Sequence, residues 1–434
     1  MTTRFAVLTG CLLALAPAAV RAQAPAITLD DAIERAQRVQ PTVIQARGAV
    51  RNAQAQVRAA TGAYLPSLTA TTSGQTSFAE GPSRFNPVTN ELESGNQTTK
   101  SVSFGLSSSI DLFTGFRRGA DRRAATATRD AADAGLLDAR YQVALATTQQ
   151  FFAALAAQQL VRVREASVRR AEEQLNLSVA KLRVGSATRS DSLRSVVNLG
   201  NAQVQLASQQ AAVAQAQAEL GRLVGSDRAV AAADDSSFYG VLETLDTASL
   251  LLEAQARSPR VQNAEAQERA ARAQLSASRS GYWPTLSLTG SATWSGASTR
   301  DYEFFASRDL RLQLSWPLFN RFVREQTIDA RYSALEAAEA AAADARRQVQ
   351  AALAAQFALL EAARVRIAIT RTSVAAAEED LRVVRERYRV GAATIVDVLT
   401  SQEALTQAEV DAVNARFDYL QAKAQIEALI GRKL

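Results

Sequence analysis

Residues 389–394 read Arg-Val-Gly-Ala-Ala-Thr, and residues 183–188 read Arg-Val-Gly-Ser-Ala-Thr. The two stretches lie 206 residues apart, and Asp397 matches Asp191 at the same offset. A glycine can end a helix in a left-handed conformation, and a threonine followed three residues later by an acid can cap the next helix. Each stretch therefore predicts a tight turn between two helices, and the chain contains that turn twice.

The repetition extends over most of the chain. The offset of 206 runs without a gap from Leu112, which matches Leu318, to the end of the second copy. Before it, Tyr64-Leu65-Pro66 matches Tyr282-Trp283-Pro284 at an offset of 218, so twelve extra residues lie in the first copy. The mature chain is therefore predicted to consist of repeat 1 at 23–225, a linker or equatorial segment at 226–246, and repeat 2 at 247–434.

Each repeat is predicted to read helix, strand, strand, long helix, helix. Strict alternation marks the strands, because Val102, Phe104 and Leu106 share one face while serines and a glycine share the other. A seven-residue spacing of apolar side chains, as from Leu353 to Leu360, marks the long helices as coiled-coil segments. The predicted helices span 28–62, 118–183, 189–225, 247–280, 324–389 and 395–431, and the predicted strands span 64–78, 100–113, 283–296 and 308–319.

The four predicted strands have the length and polarity of membrane strands. A tilted transmembrane strand needs about 9–11 residues, and aromatic residues such as Tyr64, Trp283 and Trp316 suit its ends. Four such strands cannot close a barrel, and unpaired backbone groups in lipid cost several kcal/mol each. Twelve strands from three chains form the simplest closed ring with a lumen, so a homotrimer in contact with lipid is expected.

The first residues are typical of an export signal. Arg4 precedes an apolar run from Phe5 to Val20, and small residues follow, so a signal peptide at 1–22 is predicted, with cleavage after Ala22 or Ala24. The run is shorter than the roughly 20 residues of a spanning helix.

Composition excludes several kinds of site. The chain of 434 residues has no histidine, and its single cysteine and single methionine, Cys11 and Met1, fall in the predicted signal peptide. Zinc sites of the His/Cys kind, histidine bases and thiol nucleophiles are thereby excluded from the mature protein. We expect no enzyme, no catalytic residue, no cofactor and no bound metal. The net charge of +6 is spread along the chain, so no nucleic-acid partner is expected.

The duplicated unit and the stretch Arg387–Leu399, with its Tyr-x-x-Gly-x-x-Thr-x-x-Asp-Val-Leu pattern, resemble the TolC-like outer-membrane factor (outer-membrane efflux protein) family. The resemblance implies a mainly α fold with a transmembrane β portion: a trimeric α-helical barrel in the periplasm below a 12-stranded β-barrel in outer-membrane lipid. It also implies docking to a periplasmic adaptor protein and an inner-membrane pump of the RND or ABC type. The expected function is a passive conduit of a tripartite efflux pump or type I secretion system.

The resemblance also implies a gate at the periplasmic tip. Asp397 matches the first of two family aspartates that ring the entrance, and the second position holds Thr400. Tyr388 matches a position of the polar links that hold the closed state, but their arginine position holds Ala393. Arg387 or Arg389 could replace that arginine.

Asp191 is the fourth gate candidate, and two interpretations of it and Asp397 stay open. They either only cap their helices, or they ring the entrance with raised pKa values. The residues expected to dock the adaptor are Val184, Gly185, Ser186, Thr188, Val390, Gly391, Ala392 and Thr394.

Two other classes of protein remain as alternatives. A secreted helical filament or surface-layer subunit also combines long helices with few cysteines, but it does not need four lipid-length strands. A periplasmic coiled-coil adaptor would need a lipoyl-like β domain flanking one helical hairpin, and the predicted elements occur in another order.

Overall fold

The computed structural model describes residues 25–88, 90–93, 95–240, 246–298 and 303–434, and the predicted signal peptide lies outside these residues. Within the described ranges the chain forms eight α-helices and eight strands. In chain order they are β1 (Ala26–Ile27), α1 (Leu29–Val39), α2 (Pro41–Gly62), β2 (Ser67–Ala79), β3 (Arg84–Asn86), β4 (Glu91–Glu93), β5 (Gln97–Phe113), α3 (Arg117–Arg183), α4 (Arg189–Val224), β6 (Ala231–Ala232), α5 (Thr247–Arg257), α6 (Pro259–Ser278), β7 (Thr285–Ala297), β8 (Phe304–Ser315), α7 (Val323–Arg389) and α8 (Ile395–Ile430).

The helices recur at the offsets found in the sequence. Helices α3 and α7 have 67 residues each, and α4 and α8 have 36 each. At 1.5 Å per residue, α3 and α7 each measure about 100 Å. Prolines begin both α2 and α6, where the missing amide hydrogen costs no helical bond.

Contacts between the helices arrange them side by side in one layer. Towards the turns at 184–188 and 390–394 the order is α4, α3, α8, α7, and towards the strands it is α2, α3, α6, α7. The two long helices thus run the whole length of the layer. Two shorter helices, placed end to end, pair with each long helix. Helix α7 is an edge at both levels, whereas the other edge is formed first by α4 and then by α2.

The predicted coiled-coil spacing is confirmed in repeat 2. Leu353, Leu360, Leu381 and Tyr388 of α7 are buried, as are Val398, Leu405, Tyr419 and Ile426 of α8. They form two apolar clusters along the α7–α8 seam. In α3 the corresponding positions from Val161 to Leu182 are only partly buried. The seam between α7 and α8 is therefore more completely buried at these positions than the seam between α3 and α4.

The four long strands join into one antiparallel sheet in the order β2, β5, β7, β8. Their register pairs Ala70 with Leu106 and Leu106 with Ala292, and the rings of Phe104 and Trp294 lie 5.7 Å apart. Since side chains alternate across a strand, this register collects the apolar residues on one face and the serines and threonines on the other. Strands β2 and β8 are the edges of this sheet.

The sequence placed some boundaries wrongly. Strand β2 begins at Ser67 instead of 64, and β8 spans Phe304–Ser315 instead of 308–319, because the chain leaves the sheet before Pro317. A bulge at Leu112 makes Phe113 the partner of Leu286 and breaks the expected alternation there. The predicted loop at 78–100 contains a short hairpin, β3–β4.

Part of the linker packs against the helices. Strand β6 pairs with β1 in parallel, and Val230 and Ala232 are buried in an apolar cluster. The Phe238 ring packs edge-on against Phe152 at 5.3 Å. Val230, Ala232 and Phe238 of the linker therefore pack against the core, whereas residues 234–237 are exposed and residues 241–245 lie outside the described residues.

Every helix in the described part of the chain lacks an apolar stretch of the length that crossing a membrane would require.

Candidate functional site

The two tip turns have the conformation that their glycines allow. Gly185 has a φ of +74° and Gly391 a φ of +83°, both in the left-handed region. The turns close by backbone hydrogen bonds from Ser186 N to Lys181 O at 2.8 Å and from Ala392 N to Arg387 O at 2.7 Å. Apart from the adjacent residues, no atom of the described part of the chain lies within 4 Å of where either glycine would carry a β-carbon, so backbone conformation rather than lack of space favours glycine here.

Each turn leads into a helix with a reciprocal cap. In repeat 1, Asp191 N donates to Thr188 Oγ1 at 3.2 Å, and Thr188 N donates to Asp191 Oδ2 at 2.9 Å. In repeat 2, Thr394 N donates to Asp397 Oδ2 at 2.8 Å, and Thr394 Oγ1 donates to the same oxygen at 2.8 Å. The capping interpretation of both aspartates thus describes the single chain.

The electrostatics of Asp397 follow from this cap. Hydrogen bonds from the backbone and side chain of Thr394, helped by the charge of Arg387, hold the pKa of the Asp397 carboxyl below its ordinary value. The raised pKa expected for a ring of carboxylates would need the aspartates of other copies. Thr400 lies one turn further along α8, where both it and Asp397 are exposed, whereas Val398 is buried on the opposite side of the helix.

Tyr388 lies under the turn of repeat 1. Its side chain is buried, and its hydroxyl has no hydrogen-bond partner among the described residues. Burial, and then the charge of Asp191, raise the pKa of this hydroxyl. The structure therefore brings Tyr388 and Asp191 near each other without a hydrogen bond between them.

Lys181 is a tip residue that the sequence interpretation missed. Its Nζ lies 4.4 Å from the centre of the Tyr388 ring and donates to the carbonyl oxygens of Tyr388 and Arg389. It thereby ties the end of α3 to the end of α7. The equivalent residue of repeat 2, Arg387, instead donates to Ala392 O of its own turn at 3.2 Å. The chain has only four lysines, and this rarity is the feature of the sequence that could have drawn attention to Lys181.

A second missed feature is a polar seam between α3 and α8. Arg170 donates to both carboxylate oxygens of Glu409, at 3.0 and 2.7 Å, and to Thr406 Oγ1 at 3.1 Å. Both charged side chains are largely buried, at 15% and 20% exposure. Burial also lowers the pKa of the neighbouring Arg385 guanidinium. A buried charge pair of this kind fixes helix register, because shifting either helix would leave a charge unpaired.

The tip exposes two apolar side chains and holds no metal-binding group. Val184 is 77% exposed and Val390 is 74% exposed, each directly before its glycine. In the described ranges, no three acidic side chains come together as metal ligands would. The tip can therefore offer a docking surface and a set of charges, and within those ranges no chemistry beyond that is apparent.

A family model described as outer membrane efflux protein matches residues 32–226 and 250–432, which together make up most of the chain. The chain belongs to the outer membrane efflux protein family. The resemblance seen in the sequence is thereby confirmed, and the protein is located in the outer membrane. The family match covers both repeats and leaves out most of the linker.

Individual relatives agree with this family. The chain is 29% identical to the outer membrane protein TolC of Escherichia coli over 196 residues, which span 42% of this chain and only 40% of TolC. It is 26% identical to the pyoverdine export outer membrane protein OpmQ of Pseudomonas aeruginosa over 416 residues, covering 93% of this chain and 85% of OpmQ. The fold is similar to that of CusC, with a TM-score of 0.78 and 20% identity over 93% of this chain and 92% of CusC.

Proposed function

We propose that the protein is a homotrimeric channel-tunnel, a passive conduit from the periplasm through the outer membrane. The observation that carries the proposal is that the two edges of the sheet, and the two edges of the helical layer, are formed by different elements. Each level has one edge from repeat 1 and one from repeat 2. Contacts between unlike edges generate a closed ring of identical copies.

The sheet supports this ring most directly. Strands β2 and β8 each have one unpaired side, and an unpaired backbone group in lipid costs several kcal/mol. If β8 of one copy pairs with β2 of the next, every backbone group is satisfied. Three copies then give twelve strands, with the apolar face towards lipid and the serine- and threonine-rich face towards a wet lumen.

Both helical edges expose apolar side chains. On α4 the side chains of Leu193, Val196, Val197 and Val204 lie along one face and are 56%, 50%, 62% and 66% exposed. On α7 the side chains of Leu359, Val365 and Ile369 are 56%, 50% and 59% exposed. Exposed apolar side chains on both edges favour burial of these edges against neighbouring copies, with the residues of α4 nearer the tip than those of α7. Helix α4 of one copy therefore packs against α7 of the next.

The tip supplies the gate and the docking surface of this proposal. Asp397 and Thr400 face away from the buried seam, so three copies would place them around the entrance together with Asp191. The contacts between Tyr388 and Lys181 would stabilise the closed arrangement. The exposed Val184 and Val390 suit contact with a periplasmic adaptor, which in turn connects to an inner-membrane pump of the RND or ABC type. Such a conduit serves a tripartite efflux pump or type I secretion, and it is not an enzyme.

The test begins with the assembly. The protein purified from outer membranes is expected to migrate as a heat-dissociable trimer. Val197→Asp, on the apolar row of α4, should prevent trimer formation while leaving helical circular dichroism unchanged. Gln205→Asp is the matched control, because Gln205 is exposed on α4 but lies outside that row. A trimer that survives Val197→Asp, or a soluble filament in place of a trimer, would contradict the proposed ring.

The second part of the test concerns conduction. In a planar bilayer the trimer should show a small, cation-preferring conductance that rises in Asp397→Ala. If the conductance is unaffected by this change, the conduit stands and Asp397 only caps its helix. If the trimer never conducts, the channel proposal is refuted.

A further inference from the structure

The start of α3 carries a dense group of arginines that its counterpart in repeat 2 lacks. Residues 117–123 contain four arginines and one carboxylate, whereas the matching residues 323–329 contain one arginine and two carboxylates. The difference lies at two junctions that otherwise have the same construction, each linking a strand to a long helix. Excess positive charge is therefore confined to one junction of each chain.

One arginine at each junction has a structural task. The Arg118 guanidinium lies 4.8 Å from the centre of the Tyr64 ring and donates to Leu112 O at 3.3 Å. The equivalent Arg324 lies 3.9 Å from the centre of the Tyr282 ring and donates to Glu325 at 2.7 Å. These contacts account for the arginine that both junctions share, but not for the extra charge of repeat 1.

The three remaining arginines are unpaired. Arg117, Arg122 and Arg123 are exposed, and none of them forms an ion pair within the described part of the chain. Unpaired guanidinium groups a few residues apart repel one another, so their clustering favours an anion between them. A carboxylate of the protein does not supply that anion.

Arg122 and Arg123 line an open groove of about 490 Å³ between the end of α2 and the start of α3. Gly119 keeps the groove free of a side chain, and Tyr64 Oη and Arg123 Nη1 each lie 3.8 Å from where its β-carbon would be. The carboxylate that also lines the groove, Asp130, is already bound to Arg129 at 2.6 Å. The groove is therefore lined by a phenol hydroxyl and two guanidinium groups, and the missing side chain of Gly119 leaves space beside them.

The groove lies where the chain passes from strands to helices. Tyr64 precedes β2 by three residues, and α3 begins four residues after β5 ends. At the same junction the rings of Phe113, Phe116 and Trp283 stack edge to face at 5.4 and 5.7 Å. In the proposed channel, which this inference presupposes, aromatic residues at that point lie at the level of the lipid headgroups.

We infer that this groove binds the headgroup phosphate of an anionic phospholipid, held by Arg122 and Arg123 with help from Tyr64. Guanidinium groups bind phosphate oxygens in pairs, and clustered cations disfavour a zwitterionic headgroup that carries its own ammonium. The aromatic cluster at the same junction would give the acyl chains an apolar surface that a free phosphate would not need. Each trimer would carry three such sites, one per chain.

The test measures lipid binding to the detergent-purified full chain by native mass spectrometry, with phosphatidylglycerol and phosphatidylcholine as probes. The wild type should prefer phosphatidylglycerol, and the double variant Arg122→Gln, Arg123→Gln should lose about tenfold in that affinity. Arg122→Lys with Arg123→Lys should retain part of it, because the charge remains. Arg164→Gln with Arg169→Gln is the matched control, since it removes the same charge from α3 roughly 60 Å away.

Three results would overturn the inference: no preference of the wild type, an equal loss in the control, or displacement of phosphatidylglycerol by inorganic phosphate. The conductance of the same preparations separates this inference from the proposed function. Conduction without lipid preference refutes the lipid site alone. Arginine-dependent lipid binding without conduction refutes the channel alone.

Discussion

The tips of the two repeats have the same turn but different surroundings. After Thr394, helix α8 buries Ile395, Val398 and Leu405 against α3 and α7. After Thr188, the equivalent positions of α4 hold Arg189, Ser192 and Leu199, and none of these is buried. The glycine and the cap are local, so one hexapeptide gives one turn in both places. Burial depends on the neighbours, and α8 lies between two helices whereas α4 lies at an edge.

The largest difference between the two tips is expected when one apolar side chain is removed near each of them. Leu405→Ala removes a buried side chain and should lower the free energy of unfolding by about 2–5 kcal/mol. Leu199→Ala, at the same position of repeat 1, should cost less than half of that in the dissociated chain. Urea unfolding of both variants, followed by helical circular dichroism, measures the difference. Equal losses would show that α4 is as well packed as α8.

A smaller effect concerns the two cations behind the tips. Lys181→Met removes the contact that ties α3 to α7, whereas Arg387→Met removes a contact within one turn. Lys181→Met should therefore speed amide hydrogen exchange in the last turn of α7 by about tenfold or more, in line with the loss of a charge-assisted hydrogen bond worth about 1.5–3 kcal/mol. Arg387→Met should affect only the turn at 390–394. If both variants loosen the same segment, Lys181 does not join the repeats.

The smallest expected effect is a pH dependence of the repeat 2 tip. The folded-state pKa of Asp397 is lowered, so its cap stabilises the fold above the ordinary aspartate pKa of 3.8 and loses that effect as the pH falls through the folded-state value. The thermal midpoint of Asp397→Asn should thus lie below that of the wild type at pH 6. The two midpoints should converge once the pH falls below the folded-state pKa of Asp397. A difference that persists in acid would show that the carboxylate charge is not responsible.

Periodicity and repetition in the sequence predicted the long helices, the two turns and four strands of roughly the right length. These features depend on residues close in sequence or on a regular spacing. The bulge at Leu112 and the early end of β8 were missed, because they arise from pairing between strands that are distant in the chain. The packing of Phe238 of the linker was missed for the same reason, since its partner Phe152 lies more than eighty residues away in the chain.

The tip shows the same division. Gly185, Gly391, Thr188 and Thr394 could be recognised from their spacing, because their hydrogen bonds are local. Lys181 could not, because its partners, Tyr388 and Arg389, belong to the other repeat. The pairing of Arg170 with Glu409 likewise needs two helices to be placed side by side. Contacts between repeats are set by packing, which a repeated pattern does not encode.

The equal lengths of the helices limit how such a chain can evolve. Helices α3 and α7 both have 67 residues, and α4 and α8 both have 36. Inserting seven residues into one long helix alone would move its turn by roughly 10 Å relative to the other turn. Length changes in the helices must therefore occur in both repeats together. The segments between strands are free of this restriction, as the twelve extra residues of repeat 1 show.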